Sequence, residues 1–401
     1  MVDRDLGAEI FSPEGRRNPH PIYARLRREG RVHRAIDPYR KVPLWIVTGY
    51  TDCVEMLKDP RLTKDPHKLP PEARARYLPL GEPGDALLKS MINADPPDHG
   101  RLRARMQRVF SPRGMEARRA RIQAIADDLC DRIAGRGRVD LIADFAFPLP
   151  VTVIAELLGV PAEHHERFRR WSRALLEMSA SREDIERARV ALCELADYFR
   201  QVLAERRAAP RDDIASALGE AEELSVDERL SLLFLLLVAG HETTVNLIGN
   251  GVLTLLRHPE ELRRLRDEPA RIGSAIEEVL RYESPAETSS LRFTLEEREI
   301  AGARIPAGEA VVAGILSANR DPAEFPEPDR FDITRAPNRH LAFGVGAHFC
   351  LGAPLSRVEG DVAVATLLRR LPNLRLATDP GQLRWSPRVL LRGLVSLPVE
   401  V

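Results

Sequence analysis

Several features that define common protein classes are scarce or absent in this sequence of 401 residues. The 60 basic and 60 acidic side chains cancel, so there is no overall field of the kind that attracts nucleic acid. Aromatic residues make up only 5% of the chain, and the hydrophobic share of 44% is that of an ordinary soluble core. The 4 cysteines lie far apart, with no Cys-x-x-Cys pair, so neither a disulfide framework nor a zinc site is expected.

Long apolar runs are also missing. The longest run near the middle of the chain, residues 232–239, is far shorter than the roughly 18 residues that span a bilayer. The first residues lack the charged-then-apolar layout of a signal peptide. We therefore expect no membrane anchor and a cytoplasmic location.

Hydrophobic periodicity predicts a chain that is mainly α-helical with a smaller β lobe. Helical patterns dominate an α-rich body over about residues 50–284, and no internal repeat or low-complexity linker interrupts the chain. We expect a single domain over residues 1–401. The predicted β-rich contributions are residues 30–50 (with strands at Arg31–Ala35 and Leu44–Val47), 286–335 (a β-type pattern with Gly and Pro turns at 289–315) and 385–400 (with a strand at Val389–Leu397).

One long central helix is predicted from a capping box, Ser225 to Glu228, to about Arg257, or about 50 Å at ~1.5 Å per residue. Inside it lies Ala239-Gly240-His241-Glu242-Thr243-Thr244. An interior glycine and a buried glutamate are both costly in a helix, which favours a functional reason for them. The alternative is a close helix crossing at Gly240 with Glu242 on a solvated face.

Residues 343–352, Phe-Gly-Val-Gly-Ala-His-Phe-Cys-Leu-Gly, form a glycine-punctuated loop ahead of a predicted helix. Gly344, Gly346 and Gly352 allow sharp turns and close approach of the backbone. Cys350 would lie beside a helix N-terminus, where orphan amides favour a thiolate, and a thiolate is a ligand for iron. The alternative is a buried free cysteine acting as a small hydrophobe.

The Phe-x-x-Gly-x-x-x-Cys-x-Gly spacing resembles the haem-ligand loop of cytochrome P450 enzymes. The central hexamer resembles their oxygen-activating segment, Glu278-x-x-Arg281 resembles their Glu-Arg pair, and Ala94 to Arg103 resembles the segment entering the helix beside the haem. These motifs follow the family's order and resemble the soluble bacterial, actinomycete-like class. The implied fold places the long helix over the haem and the cysteine loop on the opposite side. Small departures are Asp98, where glutamate is more usual, and Ser356, where alanine is.

The resemblance implies haem b as cofactor, with Cys350 as the axial iron ligand. Glu242 and Thr243 would supply the protons that O–O cleavage requires, and Ala239 and Gly240 would form the dioxygen groove. The other implied residues contact the haem (Phe343, Gly344 and Gly352 in the cysteine loop), bind its propionates (His99, Arg103, Arg292 and His348), or form a structural pair with a third, arginine member (Glu278, Arg281 and Arg330).

The implied reaction is insertion of one oxygen atom from O2 into a hydrophobic or amphipathic small molecule, by hydroxylation or epoxidation, as in polyketide, terpenoid or steroid tailoring. The alternatives are a peroxide-driven or O2-independent enzyme (peroxygenase, isomerase or dehydratase) and a non-catalytic haem protein. Apolar residues would contact substrate, and Glu287 would meet an amine or hydroxyl or else face water. The implied substrate contacts are Leu88, Met91, Ile92, Leu236, Val238, Thr288, Leu291 and Leu390.

No flavin or iron–sulfur domain is fused to the chain, so electrons are expected from a ferredoxin served by an NAD(P)H-dependent ferredoxin reductase. Ferredoxins are acidic, and a basic dock is expected at Arg101, Arg105, Arg108 and Arg113.

Overall fold

The computed structural model describes residues 6–38, 41–77, 89–176 and 181–401. Backbone contacts group the chain into two compact units. The larger unit comprises Met1–Thr63, Phe110–Leu149 and Thr243–Val401, and the smaller comprises Lys64–Val109 and Pro150–Glu242. The single domain expected from sequence stays a prediction, and Leu88 lies outside the described residues.

The smaller unit is helical. Its principal helices are Pro71–Tyr77, Asp98–Val109, most of Pro148–Leu157, His165–Leu176, Arg182–Ala208, Ile214–Gly219 and the first half of Val226–Arg257. The helices of the larger unit are Leu6–Ile10, Pro13–Arg17, His20–Glu29, Tyr50–Lys58, Pro112–Glu116, Arg119–Ile133, the second half of Val226–Arg257, Pro259–Asp267, Ile272–Tyr282, Ile315–Ala318 and Ala353–Arg370. Most of the described chain is therefore helix, as the periodicity predicts.

All strands of the described chain belong to the larger unit. Their bounds are β1 Val32–Ile36, β2 Pro43–Val47, β3 Leu62–Thr63, β4 Arg138–Asp140, β5 Arg292–Thr294, β6 Arg298–Ile300, β7 Ala303–Ile305, β8 Ala310–Ala313, β9 Arg375–Leu376 and β10 Pro398–Glu400. The principal sheet has the order β1-β2-β8-β5-β3. The predicted pair is confirmed, because β1 and β2 run antiparallel with Ala35 opposite Leu44. Strand β8 joins β2 in parallel, and β5 then pairs antiparallel with β8 and β3.

The predicted strand at Val389–Leu397 is wrong. The regular strand near the C-terminus is β10, which pairs with β4 and β9, whereas residues 385–394 make only isolated bridges. This segment folds back on itself, with the Ser386 amide donating to the Gly393 carbonyl at 2.8 Å. Pro387 has no amide to donate, so the segment cannot continue a ladder as a regular strand does.

The central helix, Val226–Arg257, has the predicted bounds and the predicted cap. The Ser225 amide donates to Glu228 Oε2 at 2.8 Å, and the Glu228 amide donates to Ser225 Oγ at 3.1 Å, which is a complete capping box. By length and composition this helix is apolar enough to cross a membrane, a property missed by counting uninterrupted apolar runs. In the structure, 61% of its most apolar window is buried, as in a core helix of a soluble protein.

The first two helices pack against each other too closely for a side chain at Gly15. A Cβ atom there would lie 2.2 Å from the Glu9 carbonyl oxygen and 2.6 Å from that of Ile10. Both obstacles are backbone atoms, which move only if the helices separate. Gly15 is therefore required by packing.

We expect Gly15→Ala to lower the free energy of unfolding by about 1–3 kcal/mol, the usual cost of overpacking. The matched control is Gly273→Ala, also within a helix, where a Cβ would meet nothing within 4 Å. That change should raise stability by up to ~1 kcal/mol, because alanine favours the helix. Denaturant unfolding of both variants checks the pair, and equal effects would contradict the packing account.

Candidate functional site

The cysteine loop has the geometry that its glycines predict. Gly344 and Gly346 take positive φ angles of +66° and +82°, and the Cys350 amide donates to the Phe343 carbonyl at 2.8 Å. The helix Ala353–Arg370 begins three residues after Cys350. Cys350 is exposed, so the alternative of a buried free cysteine is wrong.

Cys350 differs from Cys53 and Cys130 in its surroundings. Cys53 and Cys130 are buried, and burial raises the pKa of the Cys53 thiol well above its usual range and that of Cys130 to about 11. These two thiols are therefore inert packing groups. The loop around Cys350 instead presents an exposed thiol beside Phe349, which is 39% exposed.

The donor set around this loop fits haem. A soft sulfur ligand suits iron, exposed aromatic surface suits a planar apolar macrocycle, and cations suit its carboxylates. Arg292 is buried on β5 and donates to the Leu57 carbonyl at 3.1 Å. A Cβ on Gly346 would lie 3.6 Å from that same carbonyl oxygen, so Arg292 and the cysteine loop share a neighbour. His348 is half-buried in the loop itself.

Glu278 and Arg281 form a fully buried ion pair on the helix Ile272–Tyr282. The guanidinium donates to both carboxylate oxygens at 2.7 and 2.8 Å. It also donates to the carbonyls of Asn319, Pro328 and Arg330 at 2.7–3.1 Å. A buried charge is tolerated when its hydrogen-bonding groups are satisfied, and here the partners are the backbone of the chain leading to the cysteine loop.

The prediction that Arg330 is the third member is wrong. The Arg330 side chain is 55% exposed and pairs with Glu327, so it contributes only its carbonyl to the scaffold. Arg335 takes the place, with Nε 3.3 Å from Glu278 Oε1 and a side chain that is 10% exposed. Arg330 and Arg335 lie in an irregular segment without periodicity, so spacing alone could not distinguish them.

A hydrogen-bond path joins this scaffold to the cysteine loop. Asn319, whose carbonyl accepts from Arg281, receives the Leu341 amide on its side-chain oxygen at 2.7 Å. The Leu341 carbonyl then accepts the Gly344 amide at 2.8 Å, which sets the first turn of the loop. The implied structural role of Glu278 and Arg281 therefore has a physical route.

Glu277 and Arg357 form a second ion pair that sequence reasoning missed. Arg357 donates to Glu277 at 2.7 and 2.9 Å, and its guanidinium lies 4.7 Å from the centre of the Phe343 ring. Although burial opposes ionisation of Glu277, His340 and Arg357 outweigh it and lower the pKa of Glu277 to about 2. Glu277 and, less strongly, Cys350 raise the pKa of Arg357. The sequence signal for this pair was an arginine, Arg357, in the first turns of the helix that follows the cysteine loop.

The side chains of the hexamer 239–244 in the central helix differ in burial. His241 is buried, with its ring nitrogens 2.7 Å from Ser172 Oγ and from the Leu237 carbonyl. Gly240, Glu242 and Thr243 are half-buried and Ala239 is exposed. The expected close crossing also exists, since a Cβ on Gly240 would lie 3.0 Å from Ile154 Cδ1. Gly240 thus has a packing role, and its dioxygen role stays a prediction.

His99 and Arg103 lie one turn apart on the helix Asp98–Val109, as predicted. Burial and the nearby Arg103 lower the pKa of His99, while Asp95 opposes this shift. A largely neutral histidine beside a cationic arginine provides one hydrogen-bond donor and one positive charge for a carboxylate. Met91 and Ile92 precede this helix, the first buried and the second half-buried.

The implied substrate residues of the larger unit lie on two segments that touch. The amides of Glu287 and Thr288 approach the Leu390 carbonyl at 2.9 and 3.5 Å. Leu390 is 43% exposed and Leu291 half-buried. Glu287 neither faces water nor offers a substrate contact, because it is fully buried and is bound by Arg16 and Tyr23. Burial raises the pKa of its carboxyl despite the arginine.

Comparisons with known proteins agree with these observations. Residues 175–387 match the family model described as Cytochrome P450. Over 403 residues the chain is 42% identical to the cytochrome P450 monooxygenase PikC of Streptomyces venezuelae, covering 99% of this chain and 94% of PikC. The chain belongs to the cytochrome P450 family. Among solved structures, the myxobacterial cytochrome P450 CYP267B1 in complex with myristic acid has a TM-score of 0.94 and 55% identity, covering 98% of each chain.

A further relative of this P450 is the vitamin D(3) 25-hydroxylase of Pseudonocardia autotrophica, 43% identical over 98% of this chain and 96% of the relative. The predicted fold is therefore confirmed, and so are the haem b cofactor and the monooxygenase class. The positions of individual haem and substrate contacts stay predictions.

The different contacts of Arg335 and Arg330 in this P450 give a matched pair of variants. We expect Arg335→Ala to lower the free energy of unfolding by about 1–3 kcal/mol, because Glu278 loses a buried partner. Arg330→Ala should change it by no more than about 0.5 kcal/mol, because an exposed ion pair contributes little. Denaturant unfolding and the retained haem fraction measure both. A larger loss of unfolding free energy for Arg330→Ala than for Arg335→Ala would make Arg330 the third member after all.

Proposed function

We propose that this P450 hydroxylates or epoxidises a hydrophobic or amphipathic metabolite of secondary metabolism, in the size range of a long fatty acyl chain, a polyketide or a steroid. The names of its relatives support this class, since they include a vitamin D(3) hydroxylase, the monooxygenase PikC and a complex with myristic acid. The described substrate-contact residues are apolar apart from Thr288, so shape and burial would select the substrate more than charge would.

The observation that supports an O2-dependent reaction most directly is the environment of the Glu242–Thr243 pair. These two side chains are half-buried, whereas their neighbours His241 and Thr244 are buried. An acid next to an alcohol on the accessible part of a helix can pass protons from solvent inward. A peroxide-driven enzyme or a haem carrier has no need for such a relay.

The Cys350 thiolate would hold the iron of haem b, and the bound haem would supply oxygen activation. In the proposed mechanism, Glu242 takes a proton from water and holds it at its carboxyl group. Thr243 donates its hydroxyl proton inward and is reprotonated from the Glu242 side. Arg292, His348, His99 and Arg103 are proposed to bind the haem carboxylates. The Glu278–Arg281 pair keeps the cysteine loop in place.

We also propose a cytoplasmic enzyme that receives electrons from a ferredoxin. The ion pairs of the expected dock residues favour two of the four arginines. Arg101 pairs with Asp98 and Glu228, and Arg105 pairs with Glu223, so their charges are already compensated. Arg108 and Arg113 are exposed, and no carboxylate in the described part of the chain pairs with them. These two arginines are the better candidates for an acidic partner.

The proton relay is tested with Thr243→Ala and its matched control Thr243→Ser. Spin-state titration with myristic acid and vitamin D3 first identifies the tighter probe. With a surrogate ferredoxin and reductase, we expect Thr243→Ala to lower product formed per NADPH by about tenfold or more, while NADPH consumption continues. Thr243→Ser keeps the hydroxyl and should keep most of the product yield.

The reduced carbon monoxide spectrum of both variants should be unchanged, because Cys350 is untouched. Product that forms only when hydrogen peroxide is added would contradict the O2-dependent mechanism. An unchanged product yield for Thr243→Ala would remove Thr243 from the relay.

A further inference from the structure

Arg16 is a buried cation whose partners lie hundreds of residues away in sequence. It is on the helix Pro13–Arg17, is 2% exposed, and is held in place by the Ser12 cap and the tight packing at Gly15. A buried guanidinium needs acceptors for its N–H groups, and the acceptors it uses here show which parts of the fold it organises.

Three acceptors satisfy Arg16, and all lie on or beside the proposed substrate segments. Its Nε and Nη2 donate to the Ser386 carbonyl at 2.9 and 2.6 Å, and Nη2 also donates to the Leu391 carbonyl at 2.6 Å. Its Nη1 forms the ion pair with Glu287. The planar guanidinium of Arg16 therefore binds both the C-terminal turn, residues 385–394, and Glu287, which precedes Thr288.

The two segments have little regular structure of their own. They are joined through the amides of Glu287 and Thr288 at the Leu390 carbonyl and by an isolated bridge between Ala286 and Leu391. Tyr23 adds a hydrogen bond to Glu287 Oε1 at 3.0 Å from the next N-terminal helix. Side chains from the first 23 residues of the chain therefore help to fix the position of Leu390, together with Arg392 of the turn itself, which pairs with Glu283 and whose amide donates to the Pro285 carbonyl at 2.8 Å.

We propose that Arg16 is a positioning residue for substrate selection: by fixing the C-terminal turn against Glu287, it sets where Leu390 and Thr288 stand and which ligands fit. This inference rests on the proposed placement of Leu390 and Thr288 at the substrate. Arg16 touches no substrate itself. Lysine at this position would keep the charge but lose the fork that reaches all three acceptors.

The test compares Arg16→Lys with Arg206→Lys. Arg206 is also buried, pairs with Asp213 at 2.6 Å and donates to the Gly159 carbonyl at 2.7 Å, but contacts neither proposed segment. Each ferric protein is titrated spectroscopically with imidazole, a small iron ligand, and with 4-phenylimidazole, whose ring presses on the surrounding wall. The ratio of the two Kd values distinguishes a displacement of the proposed substrate segments, which affects only the larger ligand, from a general loss of stability, which affects both.

For Arg16→Lys we expect the Kd of 4-phenylimidazole to rise at least about fivefold, because a loosened wall must be ordered on binding, with imidazole affinity nearly unchanged. Both lysine variants should lower Tm, but Arg206→Lys should keep the parent's ratio. Equal ratios in the two variants would make Arg16 merely structural and overturn the proposal.

Two further variants keep the outcomes distinct. Leu390→Ala should fold, because Leu390 is 43% exposed, and it should alter the ratio of the two Kd values if the turn lines the ligand site. If Leu390→Ala also leaves the ratio at the parent value, the proposed placement of the substrate segments has failed instead. If Arg16→Lys does not retain haem, Tyr23→Phe takes its place, because it removes one hydrogen bond to Glu287 with little change of side-chain shape. This variant should shift the ratio of the two Kd values about twofold in the same direction. No shift would overturn the proposal.

Discussion

The structure around Cys350 depends on one buried cation, the Arg281 guanidinium. Its N–H groups must be satisfied in a place without bulk water, and a single carboxylate accepts only part of them. The remaining donors go to the carbonyls of Asn319, Pro328 and Arg330, which belong to irregular chain. The segment that leads into the cysteine loop therefore surrounds the Arg281 guanidinium, and its path follows from the hydrogen bonds that it makes to this charge.

Arg16 and Arg206 make the same kind of contacts. Each pairs with a carboxylate and also donates to backbone carbonyls of irregular segments. Irregular backbone has carbonyls that no ladder or helix satisfies, and the five donors of a guanidinium are suited to collecting them. Lysine would supply charge without the fixed directions. A chain with few strands and many loops can in this way hold its loops in one conformation.

What the sequence predicted well was local. The central helix, its capping box and the β1–β2 pair each carry a periodic or short-range signal, and the cysteine loop carries a dense motif. Contacts made across long separations were missed or misassigned. Arg335 rather than Arg330 binds Glu278, the C-terminal turn replaces a strand, and Arg16 gave no signal at all. In each case the deciding contact joins irregular segments, where neither periodicity nor residue type distinguishes one arginine from another.

Glu287 shows why polarity in a sequence is a poor guide to the ligand of a P450. A glutamate between apolar candidate contacts suggests a handle for an amine or hydroxyl, yet the side chain turns inward to Arg16 and Tyr23. Burial of the Glu287 carboxyl costs desolvation free energy, which raises its pKa. In return, the contacts with Arg16 and Tyr23 fix the position of the neighbouring backbone. The charge of Glu287 therefore acts on the position of its own backbone and that of Thr288, and Thr288 and Leu390 stay the proposed substrate contacts of these two segments.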